Sequence, residues 1–168
     1  MVLDVYTVKS GYDTGLDVKE LTIEDFATGD KNNFTPDKLR LIASRLKSDN
    51  YKCFGIIEDQ KLIYSTWISF GILTLPNGDR FKLNDDEGLL EDSYCDPIAR
   101  GRGLHSKMNF FRIMKFKEAG TKYIIAIVLD GNTPAMKVQL KSGFKEINTF
   151  YSGKIFGRNF STLKRHKI

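Results

Sequence analysis

The sequence predicts a single-domain α/β fold, with a mixed, mostly antiparallel central sheet and helices on both faces. Three observations predict it. Two β-rich runs, Tyr51–Glu58 and Lys61–Phe70, are separated only by Asp59-Gln60, which reads as a hairpin. Residues 104–119 carry apolar side chains at helical spacing and stop at Gly120, a residue suited to a left-handed helix end. Residues 122–129 read as a strand with apolar residues on both faces, as expected in the middle of a covered sheet.

The remaining elements follow from local chemistry. Residues 16–22 read as a first strand. Thr35 caps a helix, with Pro36 at its first position and Asp37 beside the positive end of its dipole. Leu39, Ile42, Ala43 and Leu46 then form an amphipathic stripe to about Lys47. Pro76-Asn77-Gly78 marks a tight turn between strands 72–75 and 80–83. Residues 89–95 form a strand stopped by Pro97. In the helix 104–119 the buried stripe is expected at Leu104, Met108, Phe111 and Met114 or Lys115. Thr133 is expected to cap a short helix with Pro134 in its first turn and Gly143 at its end. Strands 144–151 and 154–162 close the chain around Ser152-Gly153.

Composition narrows the function classes. A chain of 168 residues, 41% hydrophobic and 28% charged, can bury a core without disulfides or metals. Cys53 and Cys95 form no Cys-x-x-Cys and have no histidine at metal spacing, so they read as reduced thiols of a cytoplasmic chain. The first residues lack the basic stretch and apolar run of a signal peptide. The longest apolar run, 123–129, is far short of the roughly 20 residues of a membrane span. A net charge of +5 invites a nucleic-acid partner. The excess gathers in residues 107–117 and in the tail 154–167, whereas Asp85-Asp86-Glu87 and Glu91-Asp92 are acidic. Solvated helix faces explain it, as does a cleft for a polyanionic cofactor; neither nucleic acid nor membrane is expected as a partner. His166, in the basic tail, is given no role.

The segment with most chemistry is 96–106, between a predicted strand and the strongest predicted helix. Gly101 and Gly103 let backbone N–H groups approach an anion, and the helix start adds its unpaired N–H groups and dipole. Arg100 and Arg102 add full charges. Together they make a pyrophosphate cradle, without the Lys-Ser/Thr ending of a Walker loop or the spacing of a dinucleotide fingerprint.

This segment resembles the acyl-CoA signature of the GNAT family of N-acetyltransferases, Arg/Gln-x-x-Gly-x-Gly/Ala, matched at Arg100 and Gly103. One strand later, Asn132, Ala135, Lys141, Gly143 and Phe144 are similar to the family's second signature. The motif-bearing part runs over residues 89–144. The sequence departs from the pattern at His105, where Gly or Ala is usual, and at Gln139, where a Tyr usually donates a proton to the departing thiolate. The resemblance implies a GNAT fold and acetyl-CoA as cosubstrate, held by the cradle from Arg100 through Gly101, Arg102, Gly103, Leu104 and His105 to Ser106, with Asn132. Tyr94 and Cys95 stand where the family's strand backbone pairs with the pantetheine arm. It implies transfer of the acetyl group to a primary amine of a small molecule, an amino sugar or nucleotide-sugar being the acceptors it brings to mind. Such direct attack needs a base, because an ammonium cannot attack a thioester. Glu91 stands where related members carry a strand glutamate, with Asp92 in reserve; a surface carboxylate is the plainer reading. Strand alternation would place Glu91 with Ser93 and Cys95, and Asp92 with Leu90 and Tyr94. Cys95 could be a buried structural thiol or, less simply, a nucleophile. A homodimer is common in the family. The hairpin 72–83 is expected to frame the acceptor or a dimer contact. Two other functions stay open: an acyl-CoA-binding module without turnover, and a basic RNA-binding domain.

Overall fold

The computed structural model describes residues 1–8, 14–75 and 77–163; Pro76 and the end of the tail with His166 lie outside the described residues. In chain order the elements are β1 (Val2–Asp4), β2 (Lys19–Glu20), α1 (Ile23–Ala27), α2 (Pro36–Leu46), β3 (Tyr51–Glu58), β4 (Lys61–Phe70), β5 (Ile72–Thr74) and β6 (Arg80–Lys82). They continue with β7 (Glu87–Cys95), α3 (Leu104–Glu118), β8 (Tyr123–Ala126), α4 (Thr133–Lys141), β9 (Ser152–Ile155) and β10 (Arg158–Ser161).

The central hairpin of the sequence forms the middle of the sheet. β3 and β4 pair antiparallel from Tyr51↔Ser69 to Glu58↔Lys61, joined by Asp59 and Gln60 at φ of 47° and 61°. Two left-handed residues give the turn whose twist matches its strands. The sheet order is β1-β8-β7-β4-β3-β2, with β7 and β8 parallel and the other pairs antiparallel. It is the mixed, mostly antiparallel sheet expected.

Helices cover both faces. On one, Leu104, Met108, Ile113 and Phe116 of α3 pack on Phe54, Ile63, Ile68 and Leu90. On the other, Phe26 of α1 and Ile42 of α2 pack on Cys53, Leu62 and Trp67, with Phe26 and Trp67 stacked at 5.9 Å. Thr35 caps α2 by accepting from the Lys38 N–H, ahead of Pro36 as expected.

Several elements differ from expectation. The first strand shortens to Lys19–Glu20, and Ile23–Ala27 becomes a helical turn inside a capping box of Thr22 and Asp25. α4 is capped by Asn132, not Thr133: its carboxamide accepts from the Ala135 N–H at 3.2 Å. Residues 144–151 form no strand. The open edge of β8 is taken by β1, and Lys145 only bridges to Val2 through a pair of 2.8 Å hydrogen bonds. The closing hairpin turns at Phe156-Gly157, at φ of 49° and 76°, so Ser152-Gly153 lies within β9. It docks on the β5–β6 hairpin, where the Asn77 amide donates to the Phe160 carbonyl at 2.8 Å.

The buried stripe of α3 also differs. It includes Asn109 and Arg112 beside Leu104, Met108, Ile113 and Phe116, while Phe111 and Met114 sit on its shoulders. No described helix is long and apolar enough to cross a membrane.

Candidate functional site

The site begins where two parallel strands part. β7 pairs with β8 from Glu87↔Tyr123 to Leu90↔Ala126 and no further, yet it stays paired with β4 to Tyr64↔Cys95. From residue 91 onward β7 therefore has no described strand on its β8 side. At the same point Ile68↔Leu90 is followed by Thr66↔Ser93, so Glu91 and Asp92 together oppose Trp67. Two residues against one make a bulge, which bends the strand and resets which face each side chain takes.

That reset corrects the expected alternation. Ser93 stands on the α3 side, its hydroxyl 2.7 Å from that of Thr66, and Cys95 lies opposite Tyr64 on the same side. Glu91 is not with them. It shares the α2 face with Asp92, and both carboxylates reach the Arg45 guanidinium, at 3.4 and 3.6 Å. Tyr94 is on that face too, its ring edge-on to Phe34 at 4.8 Å.

Glu91 is well held. Its Oε1 accepts from the Ser69 hydroxyl at 2.7 Å, and its side chain is only 13% exposed. Arg45 is itself fixed over the rings of Tyr51 and Trp67, 5.4 and 5.8 Å from their centroids. Glu91 and Asp92 form one wall of a cleft of about 550 Å³ whose other sides come from α2 and the β5–β6 hairpin. Ser44, Ser48, Tyr51 and Thr74 supply hydroxyl groups, and Arg45 is the one cation among the described residues of its lining. The long hairpin anticipated in the sequence thus frames this cleft.

The glycine turn lies at the far end of β7. Asp96 ends the strand: its carboxylate accepts from the Ile98 N–H and pairs with Lys61 at 2.8 Å, and the Lys61 hydrogen bond holds its carboxyl below the usual range. Gly101 and Gly103 have φ of 78° and 72°, and a Cβ at either would project into open space. Gly103 is the N-cap of α3 and has no side chain to satisfy the first helical N–H groups. Those of Leu104, His105 and Ser106 are left for an external acceptor, an arrangement that suits a phosphate. Arg100 and Ser106 are exposed beside the turn, while Leu104 is buried in the core. A coenzyme A pyrophosphate fits these donors.

Other expected residues have other partners. Arg102 forms a two-pronged ion pair with Glu58, at 2.6 and 2.8 Å, which ties the turn to the end of β3. His105 turns inward: Nδ1 lies 2.8 Å from the Tyr64 hydroxyl, and burial lowers its pKa to about 4. It is neutral at pH 7 and offers a phosphate only its backbone. Burial raises the Cys95 thiol above its ordinary range, which opposes a thiolate nucleophile. Burial likewise pushes the Tyr94 hydroxyl up to about 12. Asn132 is exposed, and its side chain is used in capping α4.

Position 139 is closed off. Gln139 is buried and bonded to Asn109, whose amide donates to Gln139 Oε1 at 3.2 Å and to the Ser142 hydroxyl at 2.8 Å. Asn109 in turn accepts from Arg112 at 2.9 Å, and Arg112 donates to the Glu91 carbonyl at 3.1 Å. Sequence reasoning missed Asn109 and Arg112. The signal was available: Arg112 is four residues from both Met108 and Phe116, on the apolar stripe itself.

A sheet parted at a bulge, a glycine turn leading into α3 and helices on both faces make up the GNAT fold. Solved structures carry the same fold. One is an aminoglycoside N-acetyltransferase in complex with a bisubstrate analogue of CoA and acetylneamine, 19% identical, with a TM-score of 0.61 over 83% of this chain and 98% of that one. Another is an aminoglycoside 6'-N-acetyltransferase from Acinetobacter baumannii, 14% identical, with a TM-score of 0.61 over 85% of this chain and 100% of that one. A predicted acetyltransferase from Clostridium acetobutylicum with acetyl-CoA is 16% identical, with a TM-score of 0.54 over 79% of this chain and 91% of that one. No family model matches the chain, and no curated protein matches it in sequence.

Proposed function

We propose that this protein is an acetyl-CoA-dependent N-acetyltransferase acting on the primary amine of a small molecule. One observation carries the reading: Glu91 stands where β7 and β8 part and lines a cleft, and the same strand leads on to a glycine turn suited to phosphates. Acetyl-CoA supplies an acyl carbon activated as a thioester. The N–H groups of Leu104, His105 and Ser106, with Arg100, hold its phosphates. The unpaired side of β7 beyond Leu90 offers backbone groups to an extended arm. In the cleft Glu91, steadied by Ser69 and Arg45, takes the proton of the incoming ammonium, directly or through one water. Asp92, 83% exposed at its side chain, helps to attract a cation.

The lining supports an amino sugar as acceptor. Hydroxyl groups of Ser44, Ser48, Tyr51 and Thr74 suit a polyhydroxylated ligand, and two carboxylates suit an ammonium. Arg45 is engaged by both carboxylates, so among the described residues the cleft lining offers no free cation for the diphosphate of a nucleotide-sugar. Solved structures of the same fold described as aminoglycoside acetyltransferases agree with this class.

The test is a thermal-shift titration with acetyl-CoA, followed by thiol release across amino sugars, aminoglycosides, polyamines and peptides. Saturating acetyl-CoA raises the melting temperature by linkage, and amino sugars release thiol fastest. Absence of any shift overturns the reading. A shift without thiol release on any amine would favour a non-catalytic acyl-CoA-binding module, the alternative to which Gln139 in place of a tyrosine points.

A further inference from the structure

Arg112 is fully buried, at 1% exposure, and is the largest such side chain of the described residues. Nη1 donates to the Glu91 carbonyl and Nη2 to Asn109, while Nε has no partner among the described residues. None of the ion pairs among the described residues includes it. A guanidinium removed from water without a carboxylate is unfavourable, and burial lowers its pKa to about 10. It still carries its charge at neutral pH.

The titratable groups around it do not supply the missing anion. Tyr64 of β4 is buried, and burial raises its hydroxyl pKa. His105, on the same helix, is neutral above about pH 4. Cys95 of β7, opposite Tyr64, is held as the thiol. Glu91 shows Arg112 its backbone carbonyl and sends its carboxylate to Arg45 on the other face. α4 contributes the uncharged Gln139 and Ser142 to this network. The cation therefore lies one hydrogen bond from the strand that carries the proposed base. It lies two from position 139, where the resemblance puts a proton donor that glutamine cannot replace.

We propose that Arg112 is a fixed counter-charge for the thiolate released from CoA, so that transfer needs no proton donor at position 139. This rests on the acetyltransferase reading. Glu91 takes one proton from the ammonium, and as the free amine nitrogen bonds to the acyl carbon it gives up its second proton to water. The C–S bond breaks, its electron pair stays on sulfur, and CoA leaves as the thiolate, which takes a proton from water afterwards. At an effective dielectric constant of about 20, a unit positive charge within about 10 Å of a thiol lowers its pKa by about one unit or more.

The experiment titrates the thiol of CoA bound to the protein, following thiolate absorbance in the ultraviolet. It is paired with binding of desulfo-CoA, which lacks the sulfur. In the parent, bound CoA titrates about one unit or more below free CoA. Arg112→Lys keeps most of that shift and Arg112→Gln abolishes it, with desulfo-CoA bound equally by all three. A purely structural Arg112 would weaken CoA and desulfo-CoA alike and leave the thiol pKa unmoved. The parent measurement decides alone if the variants do not fold: bound CoA titrating at or above free CoA overturns the inference and spares the acetyltransferase reading. Failure of the parent to bind CoA overturns both.

Discussion

Replacing Glu91 with glutamine separates its chemical role from its structural one. The substitution keeps the size of the side chain and an oxygen that can accept from Ser69, now 2.7 Å away. It removes the charge facing Arg45, a pair at 3.4 Å with side chains 27% and 13% exposed, while Asp92 remains at 3.6 Å. A partly solvated pair backed by a second carboxylate contributes at most about 1 kcal/mol. For a chain of this length that lowers the melting temperature by about 2–4 °C. Loss of a general base lowers the transfer rate by about two orders of magnitude or more, equivalent to at least about 3 kcal/mol on the barrier. The two effects differ enough to be told apart in one set of samples. Thiol release at saturating acetyl-CoA should collapse in Glu91→Gln, with CoA-induced thermal shifts equal to those of the parent. The defect should shrink as pH rises and free amine accumulates. Near-parent turnover at neutral pH would refute the assignment, and so would a loss of turnover accompanied by a matching loss of CoA binding.

Three further outcomes are expected. Gly103→Val puts a β-branched residue at φ of 72°, a strain that shifts the turn presenting the N–H groups at the start of α3, so the thermal shift with acetyl-CoA should vanish while the far-ultraviolet circular dichroism is kept; an undiminished shift would place the phosphates elsewhere. Gln139→Ala removes an acceptor from Asn109, which retains Ser142 and Arg112, so stability should fall by about 1–2 kcal/mol in denaturant melts and turnover by well under a hundredfold; a larger loss of turnover would make the amide part of the chemistry. His105 has a folded pKa of about 4 against an ordinary value of about 6.5, so the unfolded chain binds a proton that the folded protein refuses in between. The parent should therefore lose stability as pH falls from about 6.5 to about 4. His105→Gln should flatten that part of the curve, and parallel curves for the two proteins would disprove the assignment.

What could be read from the sequence is what neighbouring residues decide among themselves. Asp59-Gln60 turns between two β-rich runs, Thr35 and Pro36 start α2, and Gly120, at φ of 77°, follows the last turn of α3. In each case the signal and the structure lie within a few residues, so one chain suffices. The glycine turn before α3 belongs to the same class, because left-handed backbone and an uncapped helix start are local properties of Gly101 and Gly103.

Interactions between distant segments decided the rest. No local pattern announces that Glu91 and Asp92 will share one partner residue on β4, and a single extra residue sends every later side chain to the opposite face. The strand beside β8 is Val2–Asp4, from the far end of the sequence, while residues 144–151, expected as a strand, give only the bridge of Lys145 to Val2. Spacing puts Arg112 on the apolar stripe of α3, but no local pattern says what will pair with it. It becomes an unpaired cation only because α3 packs that face against β7 and α4. Residue types and short spacings determined which backbone turns and helix ends could form. Tertiary packing decided which polar groups lost their water, and with it where charge is available for chemistry.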